Sequence, residues 1–488
     1  MLFSSIPFLY VFLPCVIILY FLAPKQLKNG CLLAASLVFY AWGEPGFLWI
    51  MLAEILCGYG FGLLIGKYRN RAPAGFLLGA SLLLDLGLLG YFKYTDFFVG
   101  VFGQVSGIPV KLPGIALPIG ISFYTFQIIS YTIDVYRGTV PAQKNPITLA
   151  AYVAMFPQLI AGPIVRYSDV ERQLTDRSHS FEKAAAGIRR FILGLGKKVL
   201  LANALGELCS TFRGSGDLSA AYYWLYAVSF TLHIYFDFSG YSDMAIGLGK
   251  IFGFDFLENF NYPYGSKSIT EFWRRWHMSL GGWFRDYVYI PLGGNRVTRG
   301  AWLRNILVVW FLTGFWHGAA WNFIAWGLFF AGFLMLEKLA AGGAGKTEKT
   351  AGRVEAEDDG AEKTGAGKTG TVASHVYVLL AVTVSFVIFN ASDLGQAASD
   401  LGCMFGFGGL PLVSREFFYY LRSYGGIFLL AVLGATPFPK RLAERIQGTG
   451  IGGRCLLVLE PLFLAGLLLL VTAYLVDGSF NPFLYFRF

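Results

Sequence analysis

Long apolar runs punctuated by short basic loops set the character of this chain. Met1–Pro24, Leu112–Ile133, Asn145–Val165, Leu218–Phe236, Asn305–Leu336 and Ser423–Pro439 contain no Asp, Glu, Lys or Arg. A bilayer-spanning helix needs about 20 mostly apolar residues, because every backbone polar group must be satisfied within the segment. These tracts meet that requirement. Further spans are expected near 74–92, 97–109, 186–210, 373–392 and 455–476, for a total of about eleven or twelve crossings. The ~10-residue alternating strands of a membrane barrel are absent from the sequence. Lys25 and Lys28, then Lys67, Arg69 and Arg71, mark two basic loops. The positive-inside rule makes both cytoplasmic and puts the N-terminus and the Gly43–Gly46 turn outside. Asn305–Leu336 exceeds one perpendicular span, so it is expected to tilt strongly or to break at Gly314 or Gly318.

Composition sharpens this reading. The 488 residues are 55% hydrophobic and only 14% charged, against roughly 25% charged in an ordinary soluble domain. Too little polar surface remains to clothe a water-soluble particle. The apolar start lacks the basic leader and cleavage signature of a removed signal peptide, so the first helix is expected to remain as an anchor. Six scattered cysteines without a C-x-x-C pair argue against a disulfide framework or zinc site. Five histidines without paired spacing likewise predict no metal centre. The net charge of +9 suits cytoplasmic loops facing anionic lipid rather than nucleic acid. Residues 341–372 are rich in Gly, Lys, Glu and Ala with no aromatic, and are expected to be a disordered loop. Their GAGKT fragments lack the strand and helix context of a phosphate-binding loop. The chain thus divides into a membrane domain (1–340), the charged loop (341–372) and further membrane helices of the same domain (373–488).

Chemistry concentrates between 231 and 322, where polar groups at membrane depth are retained mainly if they pair, line water or react. His233, Asp237 and Asp243 sit at the end of an apolar span, with His233 and Asp237 on one helical face. They form either a supporting hydrogen-bond network or part of a proton path. Over 268–287, Phe272, Trp276, Trp283 and Tyr287 recur at helical spacing beside Arg274, Arg275 and Arg285. That pattern predicts an interfacial or re-entrant helix, whose basic side suits a phosphorylated cofactor or anionic lipid. His317 is the sole ionisable side chain of Asn305–Leu336. A neutral imidazole can accept and return a proton near physiological pH, although packing against a carbonyl is the competing reading. No G-x-S-x-G elbow or Cys/His pair suggests a covalent acyl-enzyme.

Several motifs taken together carry a resemblance: Tyr124-Thr125-Phe126-Gln127, Asp134 to Gly138, Met155 to Ile164, Tyr235 to Asp243, Glu271 to Ser279, Tyr289 to Gly294 and Phe315-Trp316-His317-Gly318, with Asn481 to Phe488 at the end. The chain resembles the membrane-bound O-acyltransferase family, specifically its bacterial alginate O-acetyltransferase branch, most strongly over about 115–335. The resemblance implies an all-α, polytopic integral membrane protein of the bacterial cytoplasmic membrane, with a helical ring around a central tunnel. It also implies His317 as the essential histidine and His277 as the second polar position. Trp273, Trp276, Trp316 and Asn322 become candidate tunnel walls, with ordinary packing as their alternative role. The implied reaction is transfer of an acetyl group from a cytoplasmic thioester, acetyl-CoA, toward an exported or cell-wall polysaccharide, with no bound cofactor and no metal. An extracytoplasmic acetyl-handling partner is implied as well. Two other functions stay open at this stage: D-alanyl transfer to teichoic acid within the family, and a proton- or ion-coupled transporter built on the same buried charges.

Overall fold

Helices are the only regular elements among the described residues of the computed structural model, 2–340 and 368–478. The closing motif at 481–488 and most of the charged loop, 341–367, lie outside them. The first four helices are α1 (Leu13–Leu22), α2 (Lys28–Gly43), α3 (Leu48–Lys67) and α4 (Ala72–Ser106). Two expected spans, 74–92 and 97–109, are therefore one 35-residue helix. The interval left between them, 93–96, is helical. Lys93 spends its charge inside the protein, and Asp96 accepts the backbone N–H groups of Gly114 and Ile115 at 3.2 Å each.

Next come α5 (Ile121–Arg137), the short α6 (Pro146–Ala154) and α7 (Phe156–Leu159), and α8 (Tyr167–Thr175). The helix over 145–165 breaks at Met155 because Pro157 cannot continue the preceding ladder. Then α9 (Phe181–Gly196) runs through a π-helical turn, Lys197–Ala202, into α10 (Asn203–Arg213), and α11 (Ala220–Ile251) returns alongside. Matching glycines seven residues apart let α9 and α11 touch backbone to backbone in antiparallel register. A Cβ on Gly187 would lie 2.6 Å from Gly247 O, and one on Gly194 would lie 2.6 Å from Gly240 O. Small residues at such crossings substitute close van der Waals packing for the hydrophobic drive that lipid does not supply.

Beyond α11 the chain forms α12 (Ile269–Arg275), α13 (Met278–Phe284), a π-helical turn at Arg285–Tyr289, α14 (Arg299–His317) and α15 (Trp321–Ala340). The single helix expected over 268–287 is broken at His277, whose φ of +45° is left-handed and cannot continue a right-handed helix. The tract Asn305–Leu336 breaks at Gly318, one of the two glycines singled out for it. The two arms cross where Gly314 and Gly327 remove side chains: a Cβ on Gly314 would stand 2.3 Å from Phe323 O, and one on Gly327 would stand 2.3 Å from Trp310 O.

After the undescribed loop, α16 (Lys368–Asn390) starts within the region expected to be disordered. It is followed by α17 (Leu394–Met404), α18 (Arg415–Ser423), α19 (Gly425–Gly434), α20 (Phe438–Gln447) and α21 (Gly450–Asp477). Five described helices are long and apolar enough to span a membrane, or six if the bent pair α18–α19 counts as one. The lower number than eleven or twelve has a physical reason. Inner segments such as α11 are wrapped by protein, carry polar side chains, and need not meet the hydropathy of a lipid-facing span. Two apolar cores result. One joins α1–α8 to the Phe238–Ile251 half of α11, and the other joins the Tyr222–Phe236 half to α10, α12, α15 and α16.

Candidate active site

The seam between these cores holds both candidate histidines. Trp276 belongs to one core and Leu280 to the other, with His277 between them; Trp316 and Trp326 bracket His317 in the same way. His277 and His317 are 2% and 4% exposed, so both imidazoles are shielded from bulk solvent. The Trp316 ring stands beside both, 6.3 Å from the His277 ring centroid and 5.1 Å from that of His317.

Asn259 fixes His277. Its Oδ1 accepts from Ser279 Oγ at 2.9 Å and from Ser279 N at 3.3 Å, and its Nδ2 donates to Ser242 Oγ at 3.0 Å. The atom facing His277 Nδ1 at 3.1 Å is therefore an acceptor, and Nδ1 must carry the ring proton. Nε2 is left as the basic nitrogen, buried and with no hydrogen-bond partner among the described residues. A left-handed backbone at a non-glycine residue is itself a mark of a position held in place by its surroundings. Here the Met278 N–H to Asn259 O bond, 3.0 Å, closes the turn. The elements on either side are tied down independently. Ser268 caps α12 through Glu271 N, and the Glu337 carboxylate of α15 accepts from Ile269 N and Thr270 N at 2.6 and 2.9 Å.

His317 is the last residue of α14, where the chain turns extended at Gly318. Its ring is boxed edge-on by Trp326 at 5.2 Å and Phe389 at 5.4 Å, in addition to Trp316. Such a box fixes the ring plane.

The other sequence candidates divide between this box and its scaffold. Trp273 packs edge-on to Trp310 at 4.6 Å and Phe330 at 4.8 Å, while Trp276 meets Phe260 and Phe272, extending the aromatic layer from α12 toward α15. Asn322 donates to Phe389 O at 3.2 Å and Ala391 O at 2.9 Å, satisfying carbonyls at the end of α16. His233, Asp237 and Asp243 lie along α11 and face α9 and the π-helical turn that follows it. His233 Nδ1 lies 2.6 Å from the Ala202 carbonyl, which fits an N–H donated to it; Asp237 pairs with Lys198 at 2.5 Å with both side chains buried; and Asp243 receives Arg190 at 2.9 Å and Lys197 at 2.7 Å. They brace two helices, and Ser242, next to Asp243, accepts from the Asn259 that fixes His277.

On the basic side, the Asp286 carboxylate is held by Arg166 and Arg285 at 2.7 Å each. Burial would raise that carboxyl, but the two guanidiniums keep it below the usual carboxylate range. Arg137 and Arg166 both lie over the Tyr287 ring, at 5.3 and 5.4 Å. Among the described residues, no group of three or more His, Cys, Asp or Glu side chains converges as a metal-ligand set. One site residue escaped the sequence reading. Lys93 of α4 donates to the backbone carbonyl of Trp316, next to His317. A lysine interrupting an otherwise apolar run is the signal that could have found it, since charge at that depth is normally employed.

An all-helical membrane fold with two buried histidines at a core seam defines a class rather than a substrate. The membrane-bound O-acyltransferase family model matches residues 139–342, which include both histidines. Over the whole of both chains, the sequence is 40% identical to a probable alginate O-acetylase of Azotobacter vinelandii. The chain belongs to this family and is a multi-pass O-acyltransferase of the bacterial inner membrane. It is also 32% identical to a peptidoglycan O-acetyltransferase of Helicobacter pylori, covering 90% of this chain and 86% of that one. Similarity is lower to a teichoic acid D-alanyltransferase of Bacillus subtilis, 30% identical over 54% of this chain and 68% of the relative.

Proposed function

We propose that this protein O-acetylates an exported or cell-wall polysaccharide, taking the acetyl group from acetyl-CoA on the cytoplasmic side and using His317 as general base. The observation that carries the reading is the pair of buried imidazoles flanking Trp316, one of them held with a lone pair on Nε2 and no partner for it among the described residues. In the reaction, His317 takes the proton of the acceptor hydroxyl as its oxygen attacks the thioester carbonyl. The tetrahedral oxyanion collapses, the C–S bond breaks, and the leaving thiolate recovers the proton from the imidazolium. His277 Nε2 orients the hydroxyl or shares that proton. A positioned general base contributes ~10²–10⁴ in rate. Exclusion of water around the aromatic box protects the thioester from hydrolysis.

The donor and acceptor occupy opposite aqueous compartments, so the reading requires a passage to the histidines, with Trp273, Trp276 and Trp316 along its wall. Because the imidazoles are almost wholly buried, side chains of this aromatic layer must part to admit the thioester. Arg137, Arg166 and Arg285 suit the phosphates of coenzyme A, as planar guanidiniums bind phosphate with two parallel bonds. An extracytoplasmic acetyl-handling protein completes delivery to the polymer. The O-acetylating relatives, similar over most or all of the chain, favour acetyl over D-alanyl transfer.

The test is a proteoliposome assay with labelled acetyl-CoA on the face bearing Lys25 and Lys67, and polysaccharide with the partner on the other. Acceptor-dependent label on the far side is expected. Transfer that occurs only from a D-alanyl carrier thioester, or ion flux without acyl transfer, refutes the reading.

A further inference from the structure

The helix that carries His317 ends abruptly. Gly318 is fully extended, with φ −172° and ψ 151°, so the last carbonyls of α14 receive no N–H from a following turn. Two side chains from another helix supply what is missing. Tyr94 of α4 donates its hydroxyl to Phe315 O at 3.0 Å and stacks on the Phe315 ring at a centroid distance of 4.0 Å. Lys93, the preceding residue, donates from Nζ to Trp316 O. The same ammonium donates to Ser122 Oγ at 3.1 Å in the first turn of α5, and stands 5.5 Å from the Trp316 ring centroid. A cation at a helix C-terminus is matched to the negative end of the helix dipole, and a charged donor makes a stronger bond than a neutral one. The two residues immediately before His317 are thus anchored by α4 and, through Ser122, referenced to α5.

We propose that Lys93 is a positioning residue for acyl transfer: its ammonium clamps the Trp316 carbonyl and thereby sets where the His317 imidazole stands at the break in α14. The proposal rests on His317 acting as the base, as argued above. It assigns the charge in the middle of α4 a task that neither solubility nor a loop would give it. Tyr94 supplies a second, weaker anchor one residue further back.

The test compares full-length wild type with K93M, K93R and Y94F in the proteoliposome assay, with membrane abundance and melting temperature measured in parallel. Displacement of a reacting group by about 1 Å can lower a rate by about a hundredfold. K93M should therefore lose at least about tenfold in kcat, with KM for acetyl-CoA and for acceptor within about twofold. K93R, which keeps a charged donor, should recover most of the loss, and Y94F should lose less than K93M. Turnover of K93M within twofold of wild type overturns the proposal, as does K93R performing no better than K93M. Loss of activity in proportion to loss of folded protein, for K93M and K93R alike, also overturns it, because a scaffold role then accounts for the lysine. Absence of transfer by the wild type would instead refute the acetylation reading itself.

Discussion

Substituting Gly194 by Ala tests whether the site is suspended from the contact between α9 and α11. The new Cβ would lie 2.6 Å from Gly240 O, 2.9 Å from Asp243 Cβ and 2.9 Å from Met244 N. Two of these are backbone atoms and cannot rotate away. To restore an ordinary 3.4 Å contact in place of 2.6 Å, the helices must separate locally by about 0.8 Å. That shift acts on the segment of α11 carrying Asp243, bound to Arg190 and Lys197, and Ser242, which holds Asn259 and through it His277. Overpacking of this kind costs about 1–3 kcal/mol. G194A should therefore melt about 1–3 °C below wild type in detergent, and its acetyl transfer per folded molecule should fall as His277 is displaced. Gly60 of α3 is the matched control, since a Cβ there meets nothing within 4 Å. G60A should be neutral or slightly stabilising, because alanine is preferred to glycine in a helix interior by roughly 0.5–1 kcal/mol. A G194A chain with unchanged melting temperature and turnover, or a G60A chain as impaired as G194A, would refute the reasoning.

Asn259→Leu removes the acceptor that fixes the His277 tautomer and leaves a buried N–H unsatisfied, a loss of about 1–3 kcal/mol. The variant should melt lower, and acetyl transfer measured per folded molecule should fall because the His277 tautomer is no longer fixed, with the pH profile of the remaining activity changed. Unaltered kinetics would detach His277 from the mechanism. A second expectation concerns acid stability. The Asp286 carboxyl has its folded-state value lowered by Arg166 and Arg285, so its stabilisation is present above the ordinary carboxylate value and is lost only as pH falls through the lowered one. Thermal stability of wild type minus that of D286N should thus be constant above about pH 5 and shrink toward zero in stronger acid. A difference that grows on acidification would contradict the ion-pair assignment.

The sequence exposed its class through uncharged tracts and its candidate site through polar residues at membrane depth. A break in Asn305–Leu336 was legible, beside strong tilt, because the tract exceeds one span and carries Gly314 and Gly318, and the family motifs marked both candidate histidines. Three features were hidden for physical reasons. Helical spacing over 268–287 suggested continuity, yet a single left-handed φ at His277 ends one helix and starts another, and periodicity carries no trace of it. Lys93 fell between two expected spans and went unnoticed, because hydropathy registers a charge without showing what it binds. Asp237 and Asp243 were read as a supporting network or part of a proton path; they pair with Lys198, and with Lys197 and Arg190, about forty to fifty residues upstream, on the π-helical turn and α9. Only the antiparallel register set by the glycines brings them together.

The central claim is that one buried imidazole handles the proton while an acetyl group changes carriers. Labelled-acetyl transfer to acceptor by reconstituted His317→Ala, normalised to folded protein and compared with wild type, tests it most directly. A fall of ~10²–10⁴ is expected. Transfer at the wild-type rate by a correctly folded H317A chain would contradict the account.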